Sequence, residues 1–189
     1  MQLGSSDLAA QLVNRLVKAA ERLKVKYVIS PECGHAYTAL RWEGPNLIGR
    51  PYPFKVIHII ELLDELRAAG RLRTEGMDDT RLTFHDPCQM VRRGGVVEQP
   101  RNLLKQVASN YVEMPEPGVQ NWCCGGGGGV SAIERAAPLR QIAFKRKKSQ
   151  LDAINVSTIV TSCSNCRNVL QDGLEHNHMP HQVVGLTEL

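Results

Sequence analysis

The sequence predicts an α/β fold, with an open, mostly parallel sheet flanked by helices and cysteines at the carboxyl ends of its strands. Two observations carry this. Short apolar runs of strand length alternate with amphipathic stretches of helical length, the pattern of a parallel sheet with helical crossovers. Cys33, Cys88 and Cys163 each follow directly on such a run, and Cys123-Cys124 follow a strand-like segment and its loop. Ligands of open α/β sheets bind in the crevice beyond the carboxyl ends of the strands, so all six cysteines fall on one rim.

The elements follow in order. Leu8, Leu12, Val13, Leu16, Val17, Ala20 and Leu23 recur at helical spacing behind Ser5, Ser6 or Asp7 as caps, which predicts a helix over 5–23. Tyr27-Val28-Ile29 suits a buried strand that ends at Ser30-Pro31-Glu32-Cys33. Residues 42–53, with Gly44, Pro45, Gly49, Pro51 and Pro53, read as a loop. A second helix is expected over 54–69, with Val56, Ile57, Ile60, Leu63 and Leu66 on one face and Gly70 as its stop. After a polar connector, Arg81 to His85 read as a strand running into Asp86-Pro87-Cys88. Pro100 opens a helix to about residue 109, and Tyr111 to Met114 form a weaker strand. A helix over 130–153, reset at Pro138, follows the glycine run. Thr158 to Thr161 are the clearest strand, followed by a helix to 175 and a last strand near 182–186. The division expected is an N-terminal helical region, 1–24, closing a preceding region, and a cysteine-rich domain, 25–189.

Composition narrows the function. The 189 residues are 42% apolar and 22% charged, ordinary for a soluble globular domain. Aromatics at 5% are too few for a platform that stacks single-stranded nucleic acid, and a net charge of +4 is mild. The densest basic run, Lys145-Arg146-Lys147-Lys148, reads as the solvated face of a helix, with an acidic docking partner as the alternative. No nucleic-acid partner is expected. No stretch has the length of a membrane span, and Met1-Gln2-Leu3-Gly4 do not begin a secretory signal. A cytoplasmic location follows as an expectation, and there grouped cysteines mean metal or redox chemistry more often than disulfides.

Cys163-x-x-Cys166 alone fits a zinc pair, a redox dithiol or an iron–sulfur pair, and all three need thiolate at the start of a helix. Cys123-Cys124 discriminates further. Adjacent Cα atoms lie about 3.8 Å apart, too close for an unstrained disulfide, and structural zinc sites take spaced pairs. Neighbouring thiolates suit a polynuclear centre, and with Cys88 the group has five, more than tetrahedral zinc accepts. Zinc and a cofactor-free dithiol stay as alternatives. Gly125, Gly126 and Gly127 open a glycine run whose amides can approach a bulky anion such as the cluster sulfides. Neither a Walker A loop nor a dinucleotide fingerprint is present, since Val130 stands where the latter needs glycine or alanine. His35 and His85, near Cys33 and Cys88, are candidate proton donors for cleaving a sulfur–sulfur bond, with ordinary hydrogen-bonded histidines as the alternative. Cys33 is an additional ligand, a substrate-facing thiol or a small buried residue.

Cys88-x34-Cys123-Cys124-x38-Cys163-x2-Cys166, with Gly125 after the pair, resembles the cysteine-rich CCG domain of heterodisulfide reductase catalytic subunits over residues 25–186. Glu32-Cys33-Gly34-His35-Ala36-Tyr37 and the glycine-rich segment look most like the D-type branch, which includes a component of the membrane complex associated with sulfite reduction. The same domain occurs in iron–sulfur subunits of glycolate, lactate and glycerol-3-phosphate oxidation systems, which would make this chain an electron relay instead. The resemblance implies a catalytic 4Fe-4S centre, in its noncubane form, on Cys88, Cys123, Cys124, Cys163 and Cys166. It implies reduction of a disulfide or trisulfide carried by a thiol cofactor or a small thiol carrier protein. The electrons would come from an iron–sulfur or membrane cytochrome subunit, with this chain peripheral to the membrane. Two features depart from the family: Ala36 stands where a first motif would pair its cysteines, and no ferredoxin-like segment occurs. Either partner clusters deliver the electrons or the chain is the carboxyl-terminal part of a larger protein, which would leave a helix face and a sheet edge uncovered.

Overall fold

The computed structural model describes residues 4–75 and 77–189. Residues 1–3, within the expected N-terminal region, and Gly76 of the polar connector lie outside them. The chain is α/β and every strand pairing is parallel, but the strands divide into two sheets. β1 (Tyr27–Ser30) and β2 (Lys55–His58) form a separate pair. β3 (Leu82–His85), β4 (Tyr111–Val112), β5 (Thr158–Thr161) and β6 (Gln182–Gly185) form the main sheet, in the order β4-β3-β5-β6.

The main sheet is covered on both faces, as parallel sheets require. Leu82, Phe84 and Val160 face one layer, where Leu103 and Leu104 of α5 (Glu98–Val107) meet Ile60 of α4 (Ile59–Ala68). Ile159 and Val183 face the other, against Phe144 and Leu151 of α6 (Ala137–Asp152) and Leu170 and Leu174 of α7 (Ser164–His176). The two-residue alternation along β5 places Val160 and Ile159 in opposite layers. From β3 the chain moves outward to β4, and from β5 outward the other way to β6. The boundary between β3 and β5 is therefore a topological switch point, where a crevice opens.

α1 (Ser6–Arg22) starts at Ser5, whose hydroxyl accepts from the Leu8 amide at 3.3 Å. It buries Val13, Val17 and Ala20 against Phe54 and Val56. Leu8, Leu12 and Leu23, expected on the same face, stay exposed, and so do Tyr27 and Ile29 of β1.

Three expectations are corrected. The stretch 54–69 is not one helix: residues 55–58 pair with β1, Val28 beside Val56 and Ile29 beside Ile57, before α4 begins. Val56 and Ile57 fit both periods, and the available partner strand decided. The loop expected over 42–53 takes in the end of a wide turn, Ala39–Glu43, and the short helix α3 (Gly44–Ile48), after α2 (Gly34–Thr38). Pro45 sits in the first turn of α3, where no intrahelical donor is needed. The helix expected from 130 starts at Ala137, behind 3-10 turns at Val130–Ala132 and Glu134–Ala136.

β2 passes into α4 at His58. Its Nδ1 accepts from the Ile60 amide at 3.2 Å, and Glu61 Oε2 accepts from the His58 amide at 2.8 Å, a capping box built on an imidazole. The ring is fully buried, edge-on to Tyr37 at 5.5 Å. Burial pushes its pKa down from 6.5 to about 4, against a smaller upward pull from Glu61. Below pH 6.5 the unfolded chain binds a proton that the folded chain refuses until about 4, so this stability is present above 6.5 and lost as pH falls. His58→Asn keeps a good cap without titrating in this range. Urea unfolding between pH 7 and pH 4 should cost the wild type roughly 3 kcal/mol more than this variant. Equal losses would show that the ring is not the source.

Candidate metal centre

The cysteines leave the sheet at the switch point. Cys88 follows β3 through Asp86-Pro87 and enters a widened turn over Gln89–Arg93, of the kind frequent at functional sites. Cys163 follows β5 and is the N-cap of α7, which carries Cys166 in its first turn. Cys123 and Cys124 come in on the loop after β4.

The Asp86 carboxylate ties two of these segments together. It accepts both guanidinium Nη atoms of Arg101 at 2.9 Å and the Gly118 amide at 2.7 Å. Its main-chain carbonyl accepts from Asn121 Nδ2, two residues before Cys123. Arg101 also reaches Glu113 at 2.8 and 3.1 Å. A second tie joins the β1 and β5 ends, where the Glu32 carbonyl accepts from the Ser164 amide at 2.8 Å and its hydroxyl at 3.1 Å.

These ties bring five sulfur atoms into one run. Cys88 Sγ lies 3.8 Å from Cys123 Sγ, and Cys124 Sγ lies 3.4 Å from Cys166 Sγ. Cys123 interacts with Cys124, and Cys166 with Cys163, which closes the sequence 88–123–124–166–163. All are free thiols, well beyond the roughly 2.05 Å of a disulfide. Residues 82–171 match the CCG cysteine-rich domain family.

That segment, residues 82–171, belongs to the CCG cysteine-rich domain family. The chain is 34% identical over 179 residues to an EtfAB:quinone oxidoreductase of Syntrophomonas wolfei, covering 92% of this chain and 24% of that protein. It is also 34% identical over 176 residues to the D-type component of the dihydromethanophenazine:CoB–CoM heterodisulfide reductase of Methanosarcina acetivorans, covering 91% of this chain and 42% of that component. An Hdr-like menaquinol oxidoreductase iron–sulfur subunit of Archaeoglobus fulgidus matches at 28% over 223 residues, 96% of this chain and 40% of that one. The chain thus spans less than half the length of these curated relatives.

The centre of this CCG domain has an open and a sealed end. Cys88, Cys123, His35, Gln89, Arg93, Gly125, Gly127 and Gly128 line a cavity of about 360 Å³. An apolar cavity of about 580 Å³ adjoins it through His35, Gln89 and Arg93. Cys124, Cys163 and Cys166 are buried behind the mouth. His85 is wholly buried there, both ring nitrogens without a hydrogen-bond partner among the described residues, and one of them lies within 4.8 Å of the Cys124 and Cys166 sulfurs. His35 instead stands at the mouth, half-buried. Cys33 caps α2, accepting from the Ala36 amide at 3.5 Å, and among the described residues no hydrogen bond joins it to the five.

Charge is distributed unevenly. Cys123 is held well below the usual thiol range by hydrogen bonds from Cys124 and Cys88 and by the Gly125 amide at 3.3 Å. Cys163 is pulled down to about 6 by Cys166 and then by the amides of Cys166, Gly34 and Asn165. Cys88 and Cys166 are pushed up by their thiol neighbours and burial, and Cys124 up to about 12. Thiols this close oppose one another's ionisation, so five thiolates need a cationic group among them. Gly126 allows the close approach of the loop, since a Cβ there would lie 2.4 Å from Val169 Cγ2.

The fixed charges are not legible in the sequence. Asp86 stands out only as part of a stiff turn and Arg101 not at all, while Lys147, expected on a solvated face, is buried. Spacing carries no signal for pairs 15 residues apart. Replacing Arg101 by Met leaves Asp86, whose side chain is 1% exposed, without its counter-ion. Stability in urea should fall by about 3–5 kcal/mol; a loss below about 1 kcal/mol, the worth of a surface pair, would show that the pair does not hold the loops.

Proposed function

We propose that Cys88, Cys123, Cys124, Cys163 and Cys166 ligate an iron–sulfur cluster of 4Fe-4S composition, in its noncubane form, within a redox subunit that reduces a disulfide- or trisulfide-type thiol substrate. The observation that carries this is the run of five sulfurs around a switch-point crevice, with gaps of 3.4 Å between Cys124 and Cys166 and 3.8 Å between Cys88 and Cys123, opening to a cavity at one end. The donor set fits, because soft thiolates select iron–sulfur clusters and five exceed a tetrahedral zinc site. The matched heterodisulfide reductase component and the Hdr-like iron–sulfur protein support the same reading. When bound, the cluster supplies electrons one at a time.

The chain's residues supply the rest. Gly125 and Gly126 amides hold the Cys123 and Cys124 sulfurs. Cleaving a sulfur–sulfur bond to two thiols takes two electrons and two protons. His35, whose Nε2 has no hydrogen-bond partner among the described residues, would pass one to a leaving thiolate from the mouth. The electrons come from a partner iron–sulfur or membrane cytochrome subunit. Among the described residues no helix is long and apolar enough to cross a membrane, which suits a chain peripheral to such a complex.

A second reading, a relay that passes electrons without touching substrate, is favoured by the similarity to an EtfAB:quinone oxidoreductase. Adding a thiol to the oxidised protein should alter the paramagnetic resonance signal if the centre is catalytic and leave it unchanged if it relays. Anaerobic purification should yield iron and acid-labile sulfide together; zinc without sulfide would falsify the cluster. Cys124→Ser should lower iron content while circular dichroism stays native, and unchanged iron and spectra would remove Cys124 from the ligand set.

A further inference from the structure

We infer that Lys147 is a positioning residue for the redox centre, a fixed positive charge on its sealed side that favours the reduced state. The inference rests on the cluster reading above. Lys147 lies in α6 and is 1% exposed. Its ammonium donates to Gln150 Oε1 at 2.7 Å and to Met114 Sδ at 3.1 Å, both neutral. Among the described residues no carboxylate lies within ion-pair distance of it, and Asp86 is committed to Arg101. Buried charges in proteins are paired or serve metal sites. The groups that pull on this ammonium are Cys124, Asp86, Cys166 and Cys123, the three thiols among them lying in the sulfur run. Burial pushes its pKa down to about 8, which leaves it mostly charged at neutral pH.

The packing fixes the charge there. Phe144, three residues before Lys147, lies against Gly173 of α7, where a Cβ would sit 2.2 Å from the ring. That close approach holds α6 against the helix that carries Cys166. Lys147, Cys124 and Cys166 are all buried, so water screens the charge poorly. His85, buried beside Cys124 and Cys166, also lies within its field. A centre bound by five thiolates becomes more negative as it takes up an electron. A fixed cation in a poorly screened site lowers the energy of the more negative state more than that of the oxidised one.

The test is a redox titration, followed by paramagnetic resonance, on anaerobically purified wild type, Lys147→Met and Lys147→Arg, with iron and sulfide analysis of each. Met keeps most of the stem without the charge. With iron content unchanged, Lys147→Met should lose at least tenfold in the equilibrium constant for one-electron reduction, a midpoint about 59 mV more negative. Lys147→Arg should stay near wild type. If the Met variant does not fold, Lys147→Gln carries the same comparison. A midpoint unmoved in an iron-loaded neutral variant, or moved equally by Arg and Met, overturns the inference and leaves the cluster reading standing. Zinc without sulfide in the wild type overturns both.

Discussion

The two-pronged ion pair between Asp86 and Arg101 is the constraint on which the centre depends. Asp86 lies at the end of β3, two residues before Cys88, and through Gly118 and Asn121 it also holds the loop that delivers Cys123 and Cys124. One residue, through its carboxylate and its main-chain carbonyl, therefore ties together segments whose cysteines have 34 residues between them in sequence. A buried ion pair rarely stabilises a fold more than apolar packing would, but losing one partner strands a charge. Its use here is registration: another placement of the Cys123 loop would give up the Gly118 and Asn121 hydrogen bonds to Asp86.

The opposite side of the centre is registered by main chain. Glu32 and Ser164 join the end of the small sheet to the start of α7, and the Gly34 amide acts on the Cys163 sulfur. Gly34 must be small, because a Cβ there would fall 2.6 Å from the Met90 amide nitrogen. The small sheet thus acts as a wall for the site built on the large one. The result is a polarised centre, with Cys88, Cys123 and His35 toward the cavity and Cys124, Cys166, His85 and Lys147 away from water. On the proposed reading, substrate-side chemistry and charge balance fall to different residues.

Legibility follows the range of the interaction. β3, β5 and α7 are readable because their apolar runs and caps are local, and each is bounded to within a residue or two. β2 is not, because Val56 and Ile57 satisfy either period and only β1 across the pair decides. Lys147 escapes a sequence reading for a similar reason. Arg146 pairs with Glu116 and Lys148 with Asp152 at the surface, so the run looks solvated, while the one residue between them turns inward.

The sequence by itself determined the candidate donor set: five cysteines, two of them adjacent, and a glycine run beside them. Those are local facts, since spacing along a chain limits which sulfurs can share an ion. Only the tertiary structure decided which end of the centre opens, which histidine reaches the cavity, and which charged side chains are buried near the sulfurs. Desolvation and pairing depend on neighbours brought from far along the chain, and no local pattern encodes them.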